Sequence, residues 1–233
     1  MNSFSSTKGL LVATLESLNS LANDFEMEPT LFFTENDLVS RAYQLIQEGI
    51  GQFKVKGKDG QSHFLVHHEY PTPFRCDMGG SRFSIKGDED RTLHGTKYKR
   101  GHYDLVVFNP LSLQNCDYAL AKGQRYEEAK SKIPELIDVL EEPPILLAAE
   151  FMFSRDGFPS IDTVKGWWRG VLQDYRKLEA SRTWKGRWFI QEIVVLAFDI
   201  TGADSQDEHI RGLIKDGKIR HCVPLKGVSE DNA

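Results

Sequence analysis

The stretch Ile145-Leu146-Leu147-Ala148-Ala149-Glu150-Phe151-Met152-Phe153 sets a carboxylate inside an apolar run, and Gly101-His102-Tyr103-Asp104-Leu105-Val106-Val107 does the same with Asp104. Short apolar runs bounded by turn formers, here Asn109-Pro110 and Pro143-Pro144, read as strands of a buried sheet. A charge inside such a strand is costly to bury unless it is paired or holds a cation. Two of them together point to a metal site. Between the two strands, 111 to 144 reads as an acidic insertion with helical content around Tyr126 to Leu140, placed either to shape access to the sheet or to hold a dimer together.

Helical periodicity surrounds these strands. Leu11, Leu15, Leu18, Ala22 and Phe25 form one apolar stripe from about Lys8 to Phe25, an N-terminal helical arm within residues 1–30 that packs on its own domain or on a second subunit. Pro29 ends it. Thr34 then caps a second helix with Asp37 as its capping partner, Leu38, Ala42, Leu45 and Ile46 on the buried side, and Gly49 and Gly51 at its end. Glu35 lies in that first turn, where an acid meets the helix dipole. A third helix is predicted over 161–181, with Asp162 as its cap and Val164, Trp167, Trp168, Val171, Leu172, Tyr175 and Leu178 on a broad apolar side. Residues 207 to 225 read as a helix and an edge strand, and 228–233 as a disordered tail.

The segment 53 to 75 carries a hairpin pattern, with Lys58-Asp59-Gly60 as the turn and His63 to Tyr70 as a strand ending at Pro71. Adjacent strand residues point to opposite faces, so His67 and Glu69 share a side that His68 does not. His102 lies two residues before Asp104, which leaves a histidine-rich zinc site conceivable, although no HxH or HExxH spacing supports one. Glu69 is the candidate for an additional metal acid near Asp104. Residues 76 to 100 read as a polar loop or ragged hairpin whose basic end, Lys97-Lys99-Arg100, suits a flap against substrate.

Composition bounds the function classes. The chain has 233 residues, enough for one large domain, and its 40% apolar and 27% charged content is that of an ordinary globular protein. No apolar stretch approaches the roughly 18 residues of a membrane span, and Glu16 interrupts any secretory core, so no membrane partner and a cytoplasmic location are expected. The three cysteines, Cys76, Cys116 and Cys222, are scattered without metal spacing and read as reduced thiols. The net charge of −5 is unevenly spread: residues 51–100 carry ten Lys and Arg against six Asp and Glu, and 154–190 carry eight against four. Two basic blocks flanking an acidic centre suit a phosphate backbone, while the alternative is a set of solvated lysines.

The order of these segments resembles the PD-(D/E)XK phosphodiesterase superfamily over residues 35 to 198. Glu35 to Val39 looks like its first helix, Tyr103 to Val107 like its Asp strand, and Ala149 to Phe153 like its acidic-X-Lys strand. Gly170 to Leu178 is similar to the Asp-X-X-Lys-Leu helix, and Glu192 to Phe198 fits the core strand that follows. The resemblance implies an α/β fold, with a central mixed β-sheet flanked by helices in a restriction-endonuclease-like domain over 31–227. It also implies a metal-dependent nuclease hydrolysing DNA, with DNA ahead of RNA. Asp104, Glu150, Glu35 and Glu69 would hold Mg2+, for which Mn2+ can substitute. One departure stands out: the motif lysine is replaced by Met152, and a thioether cannot orient water or offset charge at phosphorus. Either Lys165 or Lys177 of the next helix reaches that space, Lys177 being the better match, or the domain has lost hydrolysis and only binds nucleic acid or a protein partner.

Overall fold

A computed structural model of the chain describes residues 7–51, 54–77, 84–86, 98–115, 140, 142–155, 158–184 and 187–225. Five helices and ten strands are described: α1 (Thr7–Met27), α2 (Glu35–Gly49), β1 (Lys54–Lys56), β2 (Ser62–Phe64), β3 (Val66–Asp77), β4 (Ser84–Lys86) and β5 (Tyr98–Phe108), then α3 (Pro110–Asn115), β6 (Ile145–Ser154), α4 (Ile161–Ser181), β7 (Thr183–Trp184), β8 (Arg187–Trp188), β9 (Ile190–Asp199), α5 (Glu208–Lys215) and β10 (Ile219–Cys222). A six-stranded sheet runs in the order β10-β9-β6-β5-β3-β4. Its β10, β9 and β6 are parallel to one another, and β5, β3 and β4 pair antiparallel. The protein is thus α/β with a mixed sheet flanked by helices.

The apolar runs explain this order. β6 is central and covered on both faces, so it is buried from Ile145 through Phe151 rather than alternating. On one face Phe25 of α1 meets Phe153 edge-on and Phe198 of β9 at 5.0 Å between ring centroids. The opposite face carries Glu150 and Met152 and is covered by α4, the crossover between parallel β6 and β9. α1 is built into the same core through Leu10, Leu18, Leu21, Ala22 and Phe25. Its buried stripe is rotated from the expected one: Leu11 and Leu15 are only partly buried, and Ala13, Thr14 and Ser17 face inward. Small residues are needed there because α1 crosses α2 closely. A Cβ on Gly49 would come within 2.7 Å of the Ser17 Oγ, which itself donates to the Leu45 carbonyl.

Three sequence expectations are corrected by packing. β3 does not stop at Pro71 but continues to Asp77, its pairing with β5 irregular between Pro71 and Arg75, where a residue lacking an N–H cannot keep the ladder. The hairpin strand instead breaks at Leu65, so β1 and β2 form a separate two-stranded sheet. The cap of α4 is Ser160, whose Oγ accepts from the Thr163 N–H, whereas Asp162 sits in the first turn and pairs with Lys165 at 3.5 Å. The expected capping box of α2 is present, Thr34 and Asp37 each bonding the other's backbone N–H. Cys222 is fully buried, and burial pushes its thiol up to about 12, which keeps it unreactive. The loop residues 78–83 and 87–97, most of the insertion (116–139 and 141) and the tail from 226 lie outside the described residues. Among the described residues no helix is long and apolar enough to cross a membrane.

Candidate functional site

The site forms where two strands part. Pairing of β5 with β6 ends at Leu105 opposite Ala149, one residue short of Asp104 and Glu150. Beyond that point β5 stays with β3, and β6 stays with β9 as far as Ser154. The free edge of β6 leaves backbone N–H groups that need partners in a buried setting. Asp104 Oδ2 accepts the Phe151 N–H at 2.7 Å, and the Glu35 carboxylate accepts that of Phe153. Carboxylates therefore substitute for the missing strand, which is why an Asp in β5 and a Glu at the start of α2 converge on one gap.

The other two positions come from β6 and α4. Glu150 is 2% exposed, and its Oε2 accepts from Lys177 Nζ at 2.6 Å. Asp174, one helical turn before Lys177, lies 3.4 Å from the same ammonium. The Glu150 Oε1 is buried without a hydrogen-bond partner among the described residues. On the far side of β5, the register that pairs His68 with Leu105 and Tyr70 with Tyr103 sets Glu69 opposite Asp104, but the ladder skips that pair. Glu69 has φ 52°, a left-handed conformation that a side chain larger than glycine adopts at a cost. The structure thus aligns Glu69, Asp104 and Glu150 across three neighbouring strands.

The electrostatics follow from crowding. Burial, then the charges of Asp104, Asp174 and Glu69, push Glu35 up to about 7 against the bond from Phe153. Burial lifts Asp104 to about 6, although the Phe151 N–H and Lys177 act against it. Burial also raises Asp174 and, further, Glu150, with Lys177 opposing in both cases. For Lys177 burial alone would favour the neutral amine, but Glu150, Asp174 and Asp104 outweigh it and hold the ammonium protonated. Three carboxyl groups, Glu150, Asp174 and Asp104, thus act on this one lysine, and Glu35 adds a fourth acid beside Asp104 and Asp174, so the acids outnumber the single ammonium.

Glu35, Asp104, Glu150 and Lys177 are brought together as the sequence suggests, Glu69 lies at their exposed edge, and Asp174 is an addition. Its signal was its place three residues before Lys177 in Asp174-Tyr175-Arg176-Lys177. Lys165 does not join them, being exposed and paired with Asp162. Met152 packs against α4: a Cβ on Gly170 would meet its Cε at 2.5 Å. The histidine-rich alternative does not assemble. His67 bonds the Phe64 carbonyl and packs on Phe108, His68 meets Tyr43 edge-on, and among the described residues no three His, Cys, Asp or Glu converge as a ready metal cage. No family model matches the chain, and no significant match is found among curated proteins or solved structures.

Proposed function

We propose that this chain is a metal-dependent nuclease with a restriction-endonuclease-like core of the PD-(D/E)XK type, hydrolysing phosphodiester bonds of DNA. The buried, unpartnered Oε1 of Glu150 carries the reading. A carboxylate oxygen left without a donor inside a protein is costly, and a cation beside it removes that cost. The donors are of the kind a hard cation takes, since Glu35, Asp104 and Glu150 offer oxygen only, with Glu69 as a fourth acid at the edge, although among the described residues they do not stand as a ready metal cage. Mg2+ or Mn2+ held there would polarise the phosphodiester and make water a better nucleophile near neutral pH.

Within this reading Lys177 takes the role of the strand lysine that Met152 has displaced. Its ammonium is fixed 2.6 Å from Glu150 by α4, so it can donate to the attacking water or to a phosphate oxygen. Water oxygen adds to phosphorus, the bond to the leaving oxygen breaks, and the proton lost by water ends on that leaving group. The strained backbone at Glu69, beside Asp104, is the kind of outlier found where function holds a conformation in place. Exposed Lys165, Arg169 and Arg176 on the outer side of α4 would meet the phosphate backbone.

A second reading has its own support in Met152 and in the burial of Lys177, which is 5% exposed and engaged by two acids. That reading is a silent nuclease-like domain that binds nucleic acid or a protein partner. Incubating supercoiled, linear and single-stranded DNA in magnesium and in manganese, beside Asp104→Ala and Glu150→Ala, separates the two. Metal-dependent nicking lost in both variants supports hydrolysis; retention of DNA without cleavage by the wild type moves the assignment to the silent domain.

A further inference from the structure

We propose that Phe33 and Arg155 form a nucleobase platform at the lip of the carboxylate cluster, so that substrate is engaged as a single strand or an unpaired end; this rests on the nuclease reading above. Phe33 is 58% exposed although it is a large aromatic residue. Its place is nevertheless fixed, because its N–H donates to the Asp37 carboxylate at 2.9 Å within the α2 capping arrangement. The Arg155 guanidinium carbon lies 5.0 Å from the centre of the ring, and Arg155 is itself exposed. The pair sits at the candidate centre: Phe33 is two residues before Glu35, Arg155 is two residues after Phe153, and the Glu35 carboxylate joins those chains by accepting the Phe153 N–H.

The chemistry selects the partner. A nucleobase within a duplex has both faces stacked on its neighbours, so an exposed ring gains nothing from it. An unpaired base presents an open π-face, and aromatic side chains with arginine beside them hold single strands in this way. Arg155 adds a positive charge at the rim of an acidic cluster, where a phosphate would otherwise be repelled. A ring on a held backbone, with only two side-chain torsions to fix and Arg155 against it, loses less freedom on stacking than a long flexible side chain would.

The test compares a single-stranded oligonucleotide carrying 2-aminopurine with a blunt duplex of the same sequence, in magnesium, reading fluorescence quenching, affinity and cleavage. Wild type, Phe33→Ala, Phe33→Tyr, Arg155→Ala and Asp104→Asn are measured side by side. Phe33→Ala should weaken single-strand binding about tenfold and abolish quenching, while Phe33→Tyr retains both and duplex binding stays unchanged. Arg155→Ala should weaken single-strand binding less and make it less sensitive to salt, since one cation facing phosphate is lost. Equal losses on the two substrates, or none, overturn the platform, and the nuclease reading still stands if cleavage depends on Asp104. Phe33-dependent quenching without any Asp104-dependent cleavage supports the platform as a binding site and removes the nuclease. No binding of either substrate overturns both.

Discussion

Lys177 is the side chain on which the cluster depends, because it is the ammonium that Glu150, Asp174 and Asp104 share. Lys177→Met should destabilise the protein by about 3–5 kcal/mol, since it leaves Glu150 buried with no opposite charge, and should abolish cleavage. Urea titration checks the first part, and a loss under about 1 kcal/mol would show that Glu150 has other support. Glu69→Gly should act in the opposite sense, raising stability by up to about 1 kcal/mol by relieving a left-handed backbone and removing a like charge from Asp104, while lowering metal affinity. Asp104 and Glu150 were legible because a carboxylate in an apolar strand is an anomaly that sequence shows directly. Asp174 was legible only as the acid of the Asp-X-X-Lys-Leu pattern, and its burial beside the sheet, which raises its pKa, is what the structure adds.

At the level of elements, α2 and α4 carry the site, and both owe their placement to local chemistry. The Thr34 cap fixes the first turn from which Glu35 reaches Phe153, so Thr34→Ala should cost about 1 kcal/mol in stability and weaken metal binding besides. β6 and α4 face each other at two levels, Glu150 with Lys177 and Met152 with Gly170. A lysine at 152 would therefore emerge on the same side of the sheet as Lys177. If the positive charge has moved between elements, Met152→Lys with Lys177→Met should recover cleavage to within about tenfold of wild type, a loss of about 1.4 kcal/mol in the barrier. Recovery no better than Lys177→Met alone would place the requirement in the geometry of α4 itself. Helix extents and the sheet's central runs were readable from periodicity, and α4 ends at the residues expected. What sequence could not give was tertiary choice: Pro71 inside β3 and the rotated face of α1 follow from partners distant in the chain, whereas Ser160 rather than Asp162 caps α4 through a local bond from the Thr163 N–H.

Across the whole molecule the crowded acids couple folding, protonation and metal. Glu35 binds its proton more tightly folded than unfolded, 4.5 rising to about 7, and Asp104 does so from 3.8 to about 6. Such groups add stability that is full below the unfolded values and is lost as pH climbs through the folded ones. Without metal the protein should therefore weaken between about pH 4 and 7 on account of this cluster, with half-buried His67, whose pKa is lowered by desolvation, pulling mildly the other way up to its ordinary value. A divalent cation replaces those protons, so its affinity should rise with pH over the same interval. Thermal unfolding at pH 5 and pH 8, each with EDTA and with one magnesium concentration, set at about a hundred times the dissociation constant at pH 8, puts the coupling to test. Saturation to that degree adds about 2.7 kcal/mol, or roughly 5–10 °C for a chain of this size. At equal total magnesium the gain should be largest at pH 8 and small at pH 5, and Glu35→Gln should flatten the pH dependence measured in EDTA. A melting temperature indifferent to metal at both pH values would mean that the acids are balanced within the protein alone, and the proposed centre would fall with that result.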